Sequence, residues 1–290
     1  MSAEDALAKL ERQVLAAASV GDFLKRVATL RVLLGREDES VRRIVLAWVA
    51  PRLEAQALAA VLDAFSLGAN DALDILETMD EYGRIKRVGR PSKDAKDIVR
   101  GIDRDDRKAL EQAQKLARAG AALDAVTAPL IGHANRVSSR ITEAINRAGN
   151  EGATAIADAA GLPTVWVAEY NACVRCLAYS GRIAKPGKDF PGGLTYGRPK
   201  YATQGPLPHP PLHPYCRCTV EPLRSKEYAT TLRREADRSV LRGFSLQSES
   251  MRVRIDATER LLKRSPDAPK SVIEYARKAV KRGRFVTRGA

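Results

Sequence analysis

Four cysteines in two close pairs constrain this 290-residue chain more than any other feature. Cys173-x-x-Cys176 is followed, after 39 residues, by Cys216-x-Cys218, with His213 just upstream in His213-Pro214-Tyr215-Cys216-Arg217-Cys218. A C-x-x-C turn can aim two sulfurs at one point. Residues two apart on an extended strand face the same side, so Cys216 and Cys218 can converge in the same way. Zinc takes four tetrahedral thiolate or imidazole ligands, and Cys173, Cys176, Cys216, Cys218 and His213 supply five candidates. The long spacer is no obstacle. Lengthening a loop from ~15 to ~39 residues adds about 1 kcal/mol of closure entropy, against roughly 10–16 kcal/mol for structural zinc in small peptides. Two other readings stand beside zinc: two disulfides joining the pairs, or four thiols buried as small hydrophobes.

Around this centre the sequence predicts a mainly α protein. Hydrophobic residues make up 44% and aromatics only 5%, an Ala-, Leu- and Val-rich supply that suits helix-on-helix packing. Ser2 with Asp5 resembles a capping box, and Leu7, Leu10 and Val14 follow at helical spacing. Asp22 can cap a second helix carrying Phe23, Val27, Leu30 and Leu34, closed by Gly35. A third pattern starts near Ser40, with a kink at Pro51 and a stop near Gly68, and a fourth starts at Asn70 or Asp71. Gly83, Gly89, Pro91 and Gly101, with Arg84, Lys86, Arg87 and Arg90, predict a basic linker or exposed loop. Periodicity resumes from about Asp105 to Ala160, where Val137, Ile141, Ile145, Ala153 and Ile156 mark one face; Gly161 and Pro163 end it. Thr164–Glu169 and Cys218–Glu221 predict two short strands of an antiparallel sheet, joined through a long loop rich in Gly and Pro. The expected organisation is a helical region over 1–82, a basic linker over 83–104, helices over 105–160, a small α+β cysteine-rich module over 161–223 and a basic helical tail over 224–290.

Charge is the second constraint. The net charge is +14. Residues 222–290 hold eighteen Lys or Arg against eight Asp or Glu, an excess of ten. Such a balance fits a polyanionic partner, nucleic acid or anionic lipid, or a protein that is merely basic. The densest run holds Arg277, Lys278, Lys281, Arg282 and Arg284, the candidate contacts to DNA or a partner. Arg217, between two cysteines, should face away from the metal and meet a partner or a phosphate. The start Met1–Asp5 is acidic and lacks the apolar stretch of a secretory signal. The longest apolar runs, such as Ile44–Ala50, fall well short of the ~20 residues of a membrane span. The expectation is a protein made in the cytosol, where clustered cysteines favour metal binding or catalysis over disulfides.

The sequence contains none of the common catalytic signatures. Zinc deaminases need H-x-E and P-C-x-x-C, but His133 is followed by Ala134-Asn135 and Cys173 is preceded by Ala172. H-E-x-x-H and G-x-S-x-G are absent as well. A metal-dependent nuclease using His209 or His213 is the alternative to a non-enzymatic protein.

One resemblance fits this order of motifs. Arg140–Gly152, the Trp166 strand, Cys173-x-x-Cys176, Ser180-Gly181-Arg182-Ile183 and Pro210–Cys218 together resemble the Mu F-like family of bacteriophage minor head proteins, over about residues 136 to 223. Many members carry an Asp between the Trp strand and the first Cys; here Glu169 or Asn171 stands at that place. The resemblance implies a minor capsid protein in the interior of a tailed-phage head, reached from the host cytoplasm during assembly. It also implies proximity to the portal or major capsid protein, and a part in head morphogenesis and DNA packaging or ejection.

Overall fold

Helical spacing of Ala, Leu and Val dominates the structure, a computed structural model that describes residues 45–46, 53–79, 89–170, 172–202, 205–244 and 249–286. The helices expected over residues 3 to about 40, and Arg84, Lys86, Arg87 and Asn171, lie outside the described residues. The chain divides into two compact units, one of residues 1–65 and 90–148, the other of residues 66–89 and 149–290.

The first unit is helical. It takes the start of α1 (Glu54–Thr78), then α2 (Lys93–Val99), α3 (Ile102–Arg118) and α4 (Leu123–Ala159) as far as Ala148. Helix α2 falls inside the stretch expected to be a linker: Ser92 caps it by accepting from Ala95 N–H, and Ala95 and Val99 bury its inner face. Asp103 on α3 accepts the N–H groups of Leu53 and Glu54 at 2.6 and 2.9 Å. Glu54 in return accepts Gly101 N–H at 2.7 Å. Two helix starts thereby satisfy each other's orphan donors. Leu130, Ala134, Val137, Ile141 and Ala144 bury the expected face of α4. His133 is a core histidine, with Nε2 3.2 Å from Asp106 Oδ1 and both side chains 1% exposed.

The second unit carries the cysteines. The remainder of α4 ends at Gly161, which takes the left-handed conformation expected of a helix stop (φ +70°). Strand β1 (Thr164–Val167) is central in a three-stranded antiparallel sheet, order β2–β1–β3, with β2 at Ile183–Ala184 and β3 at Thr219–Pro222. Trp166 pairs with Val220 across β1 and β3. Its indole is fully buried between Tyr179 and Phe190, at ring-centroid separations of 4.8 and 5.3 Å. Helix α5 (Val174–Tyr179) and three C-terminal helices, α6 (Lys226–Arg242), α7 (Met251–Leu262) and α8 (Lys270–Arg282), pack around this sheet. The C-terminal segment is not an appended arm. Ala236, Val240, Leu241, Ala257, Leu261, Val272 and Ala276 lie in one apolar core with Trp166 and all four cysteines.

Gly68 does not end a helix as expected; α1 runs unbroken through it. A Cβ at Gly68 would stand 1.9 Å from the Gly149 carbonyl oxygen on α4. The glycine is there because two helix backbones touch, a different use of the same residue.

Asn150 links α4 to the sheet. Its Nδ2 donates to the Cys218 carbonyl at 3.2 Å and its Oδ1 accepts Val220 N–H at 2.7 Å, all of it buried. Asn150→Ala is expected to lower stability by about 2 kcal/mol, because the buried Val220 N–H and Cys218 carbonyl lose the side chain that bonds them. Thermal or urea unfolding of the purified variant checks it.

Candidate metal centre

Two short segments deliver the sulfurs. The first is the start of α5. Cys173 is its N-cap residue, and its Sγ accepts the Cys176 N–H at 3.5 Å, so the C-x-x-C turn is closed by a bond from backbone to sulfur. Val174 N–H reaches the carboxylate of Glu249, at 3.3 Å to each oxygen. The second is the turn before β3. Cys216 N–H donates to the His213 carbonyl at 3.1 Å, and Tyr215 takes a positive φ of 62° to close the turn. Asn150 then anchors the carbonyl of Cys218.

The five expected ligands gather. His213 Nε2 lies 3.2 Å from Cys173 Sγ and 3.3 Å from Cys176 Sγ, and Cys176 Sγ lies 3.7 Å from Cys216 Sγ. Two donor groups result, Cys173–Cys176–His213 and Cys176–Cys216–Cys218, each with its ligand atoms within 4.8 Å of one another. Cys176 belongs to both. Two sulfurs bound tetrahedrally at 2.3 Å from one ion stand about 3.8 Å apart, so the Cys176–Cys216 separation fits a shared centre. It is far beyond the ~2.05 Å of a disulfide, and all four cysteines are free thiols, each buried.

The orientation of His213 suits a ligand. Its Nδ1 is 2.7 Å from the Pro214 carbonyl oxygen. A carbonyl only accepts, so Nδ1 carries a proton and Nε2 is the ring nitrogen that faces the sulfurs, where its lone pair would go to a bound metal, the arrangement that metal-bound histidines use.

Electrostatics point the same way. Hydrogen bonds from Cys176 and then His213 hold the Cys173 thiol down at about 4. The contact with Cys173 raises His213 to about 9. Contacts from Cys176 and Cys218 hold Cys216 well below the ordinary thiol value. Cys176, the donor to its neighbours and deeply buried, is pushed well above it. Adjacent buried thiolates repel, so the four sulfurs cannot all ionise together without a cation among them. A dication at the centre removes that restriction. The residues therefore can hold a metal ion, with donors of the soft type that zinc prefers.

The other expected contact residues are spread out. Arg217 Nη1 stands 3.4 Å from Glu169 Oε1, with its side chain 55% exposed, so the residue expected to face a partner pairs with a carboxylate of this chain. Arg277, Lys278, Lys281 and Arg282 cover the exposed face of α8, opposite Val272, Ala276 and Ala279, and Arg284 is exposed just beyond it. His209 is buried, with Nδ1 2.5 Å from the Pro210 carbonyl and Nε2 3.9 Å from Glu151, and it enters neither donor group. Asn150 lies in the Arg140–Gly152 run, but its role has no sequence signal, because a side chain reaching a strand about 70 residues away leaves no spacing pattern.

Comparisons of the chain with family models, with curated proteins and with solved structures return no match. Among the described residues no helix is long and apolar enough to cross a membrane.

Proposed function

We propose that this protein is a structural component of a tailed-bacteriophage head, of the Mu F-like minor head type. In this reading Cys173, Cys176, Cys216 and His213, with Cys218 as the fifth donor, hold one structural zinc ion. The single observation that carries the reading is the meeting of C-x-x-C and H-P-x-C-x-C, 40 residues apart, in one buried cluster beside the Trp166 strand. Those are the motifs on which the resemblance rests. Five protein donors compete for four positions, so the site is closed by protein and leaves no coordination position for a substrate, as structural zinc sites do. The module then serves as a rigid platform that docks on a portal or capsid protein, while the excess positive charge of residues 222–290 lies against packaged DNA through counterion release.

The purified protein is expected to contain about one zinc per chain by mass spectrometry of the metal, following structural-site stoichiometry. The zinc-loaded protein is expected to leave supercoiled plasmid DNA intact; metal-dependent nicking would replace the structural reading with a nuclease. In heads purified from a phage encoding this chain, the protein should resist external protease until the DNA is ejected. Its absence from such particles would end the assignment.

A further inference from the structure

Helix α7 has two unlike faces. Ala257, Thr258 and Leu261 hold the inner face in the core. The outer face lines two adjoining cavities of about 190 and 470 Å³, which share Arg198 and Asp256. Together they make a groove past positions 252, 256, 260 and 263 of the helix, about 16 Å long at 1.5 Å per residue. Its other wall is the segment from Gly197 to Lys200.

The charges in this groove do not cancel. Arg198 closes on Asp256 through both Nε and Nη2 at 2.8 Å, and Lys263 closes on Glu259 at 2.8 Å. Both lining carboxylates are thereby engaged. Arg252 and Arg260, two helical turns apart and exposed, have no ion-pair partner among the described residues, and Lys200 adds a third exposed cation nearby. Among the lining residues only Val253 has an apolar side chain, and none is aromatic. A protein partner would need an apolar or aromatic anchor at the centre of such a site. A guanidinium row on a rigid helix suits phosphate oxygens instead.

We propose that the α7 groove is a docking track for the phosphodiester backbone of DNA, with Arg252 and Arg260 as the principal contacts. The inference rests on the reading that this protein lies against packaged DNA. It places the contact on α7, away from the denser basic run on α8.

The test is fluorescence anisotropy with the full-length chain, a labelled single-stranded oligonucleotide and its duplex, across a salt series. The double variant Arg252→Glu/Arg260→Glu is compared with Lys278→Glu/Arg282→Glu on α8. The groove variant is expected to bind about tenfold more weakly or worse, and to lose about two units of the duplex salt slope. The α8 variant should lose clearly less affinity than the groove variant, because its charges add to the basic excess but lie outside the track. A similar loss on single strands means that the groove follows one strand; a loss on duplex alone means that it grips the outside of the double helix. Arg252 and Arg260 are exposed, so unchanged melting temperatures confirm that the variants fold, and Arg252→Gln/Arg260→Gln replaces the reversal if they do not. Wild-type affinity in the groove variant, with loss in the α8 variant, overturns the groove and leaves the head-protein reading intact. No DNA binding by the wild type at low salt overturns the groove and the DNA contact together, while presence in heads is decided separately. Equal binding of polyglutamate, lost in the same variant, overturns the phosphodiester assignment in favour of an acidic polypeptide.

Discussion

Replacing Cys176 with alanine is expected to release the metal and unfold the cysteine module. Cys176 is the one ligand, among the described residues, that belongs to both donor groups. It touches His213 on one side and Cys216 on the other, and it is 1% exposed at the base of α5. Without it neither group retains three donors. Each of the other four ligands belongs to one group only, so its loss leaves the other group of three donors intact. Cys176→Ala should therefore purify with almost no zinc. Its melting temperature should drop by about 20 °C or more, since structural zinc contributes roughly 10–16 kcal/mol in small peptides and each kcal/mol shifts a chain of this size by about 2–4 °C. Cys218→Ala should keep most of its metal at reduced affinity. A strong chelator added to the wild type should reproduce the Cys176→Ala melting curve. Full zinc content and an unshifted melt in Cys176→Ala would remove the shared centre. Metal analysis and calorimetry on the same preparations decide the matter.

The module around this site was legible in the sequence where local rules apply. Gly161 and Pro163 mark the end of α4 because one takes a left-handed turn and the other cannot extend a helix. Both strands expected of the β-branched runs are present, at Thr164–Val167 and Thr219–Pro222. The five candidate ligands gather as their spacing suggested. The readings that differ involve residues whose local signal is ambiguous or whose partner is far away. Gly68 carries the same letter whether a helix stops or two helices touch, and only the Gly149 carbonyl at its would-be Cβ separates the two. Ser92 sits among glycines and basic residues that suggest a linker, yet two buried side chains one helical turn apart are enough to fold α2. The C-terminal helices display so much charge that their apolar stripe, Ala236, Val240, Ala257, Leu261, Val272 and Ala276, is easy to read as the thin face of a solvated tail. In the structure that stripe completes the core holding the cysteines. Deleting residues 224–290 would therefore remove part of the core along with the charge, and point reversals are the proper test of DNA contact.

Gly181→Ala is expected to destabilise the protein far more than alanine at another left-handed glycine. Gly181 turns the chain between α5 and β2 with φ +68°. Its N–H donates to the Trp166 carbonyl at 2.9 Å, and its carbonyl accepts from Arg233 Nη2 on α6 at 3.1 Å. A Cβ there would stand 2.1 Å from the Ala229 carbonyl oxygen and 3.0 Å from Arg233 N. Both obstacles are helix backbone, which cannot rotate away as a side chain can. Alanine must therefore meet two costs: about 1–2 kcal/mol for the left-handed conformation and about 1–3 kcal/mol for pushing α6 off the corner. Gly161 separates these terms. Its φ is +70°, yet nothing lies within 4 Å of its would-be Cβ, so Gly161→Ala should cost only the conformational part. The expected melting temperatures fall in the order wild type, Gly161→Ala, Gly181→Ala, with the last about 5–20 °C below the first at the same 2–4 °C per kcal/mol. Equal losses in the two variants would mean that the close approach of α6 to the Gly181 corner contributes nothing. Because that corner is bonded to Trp166, whose strand flanks the cysteines, Gly181→Ala should also bind zinc more weakly, which a competition assay with a chromogenic chelator would read.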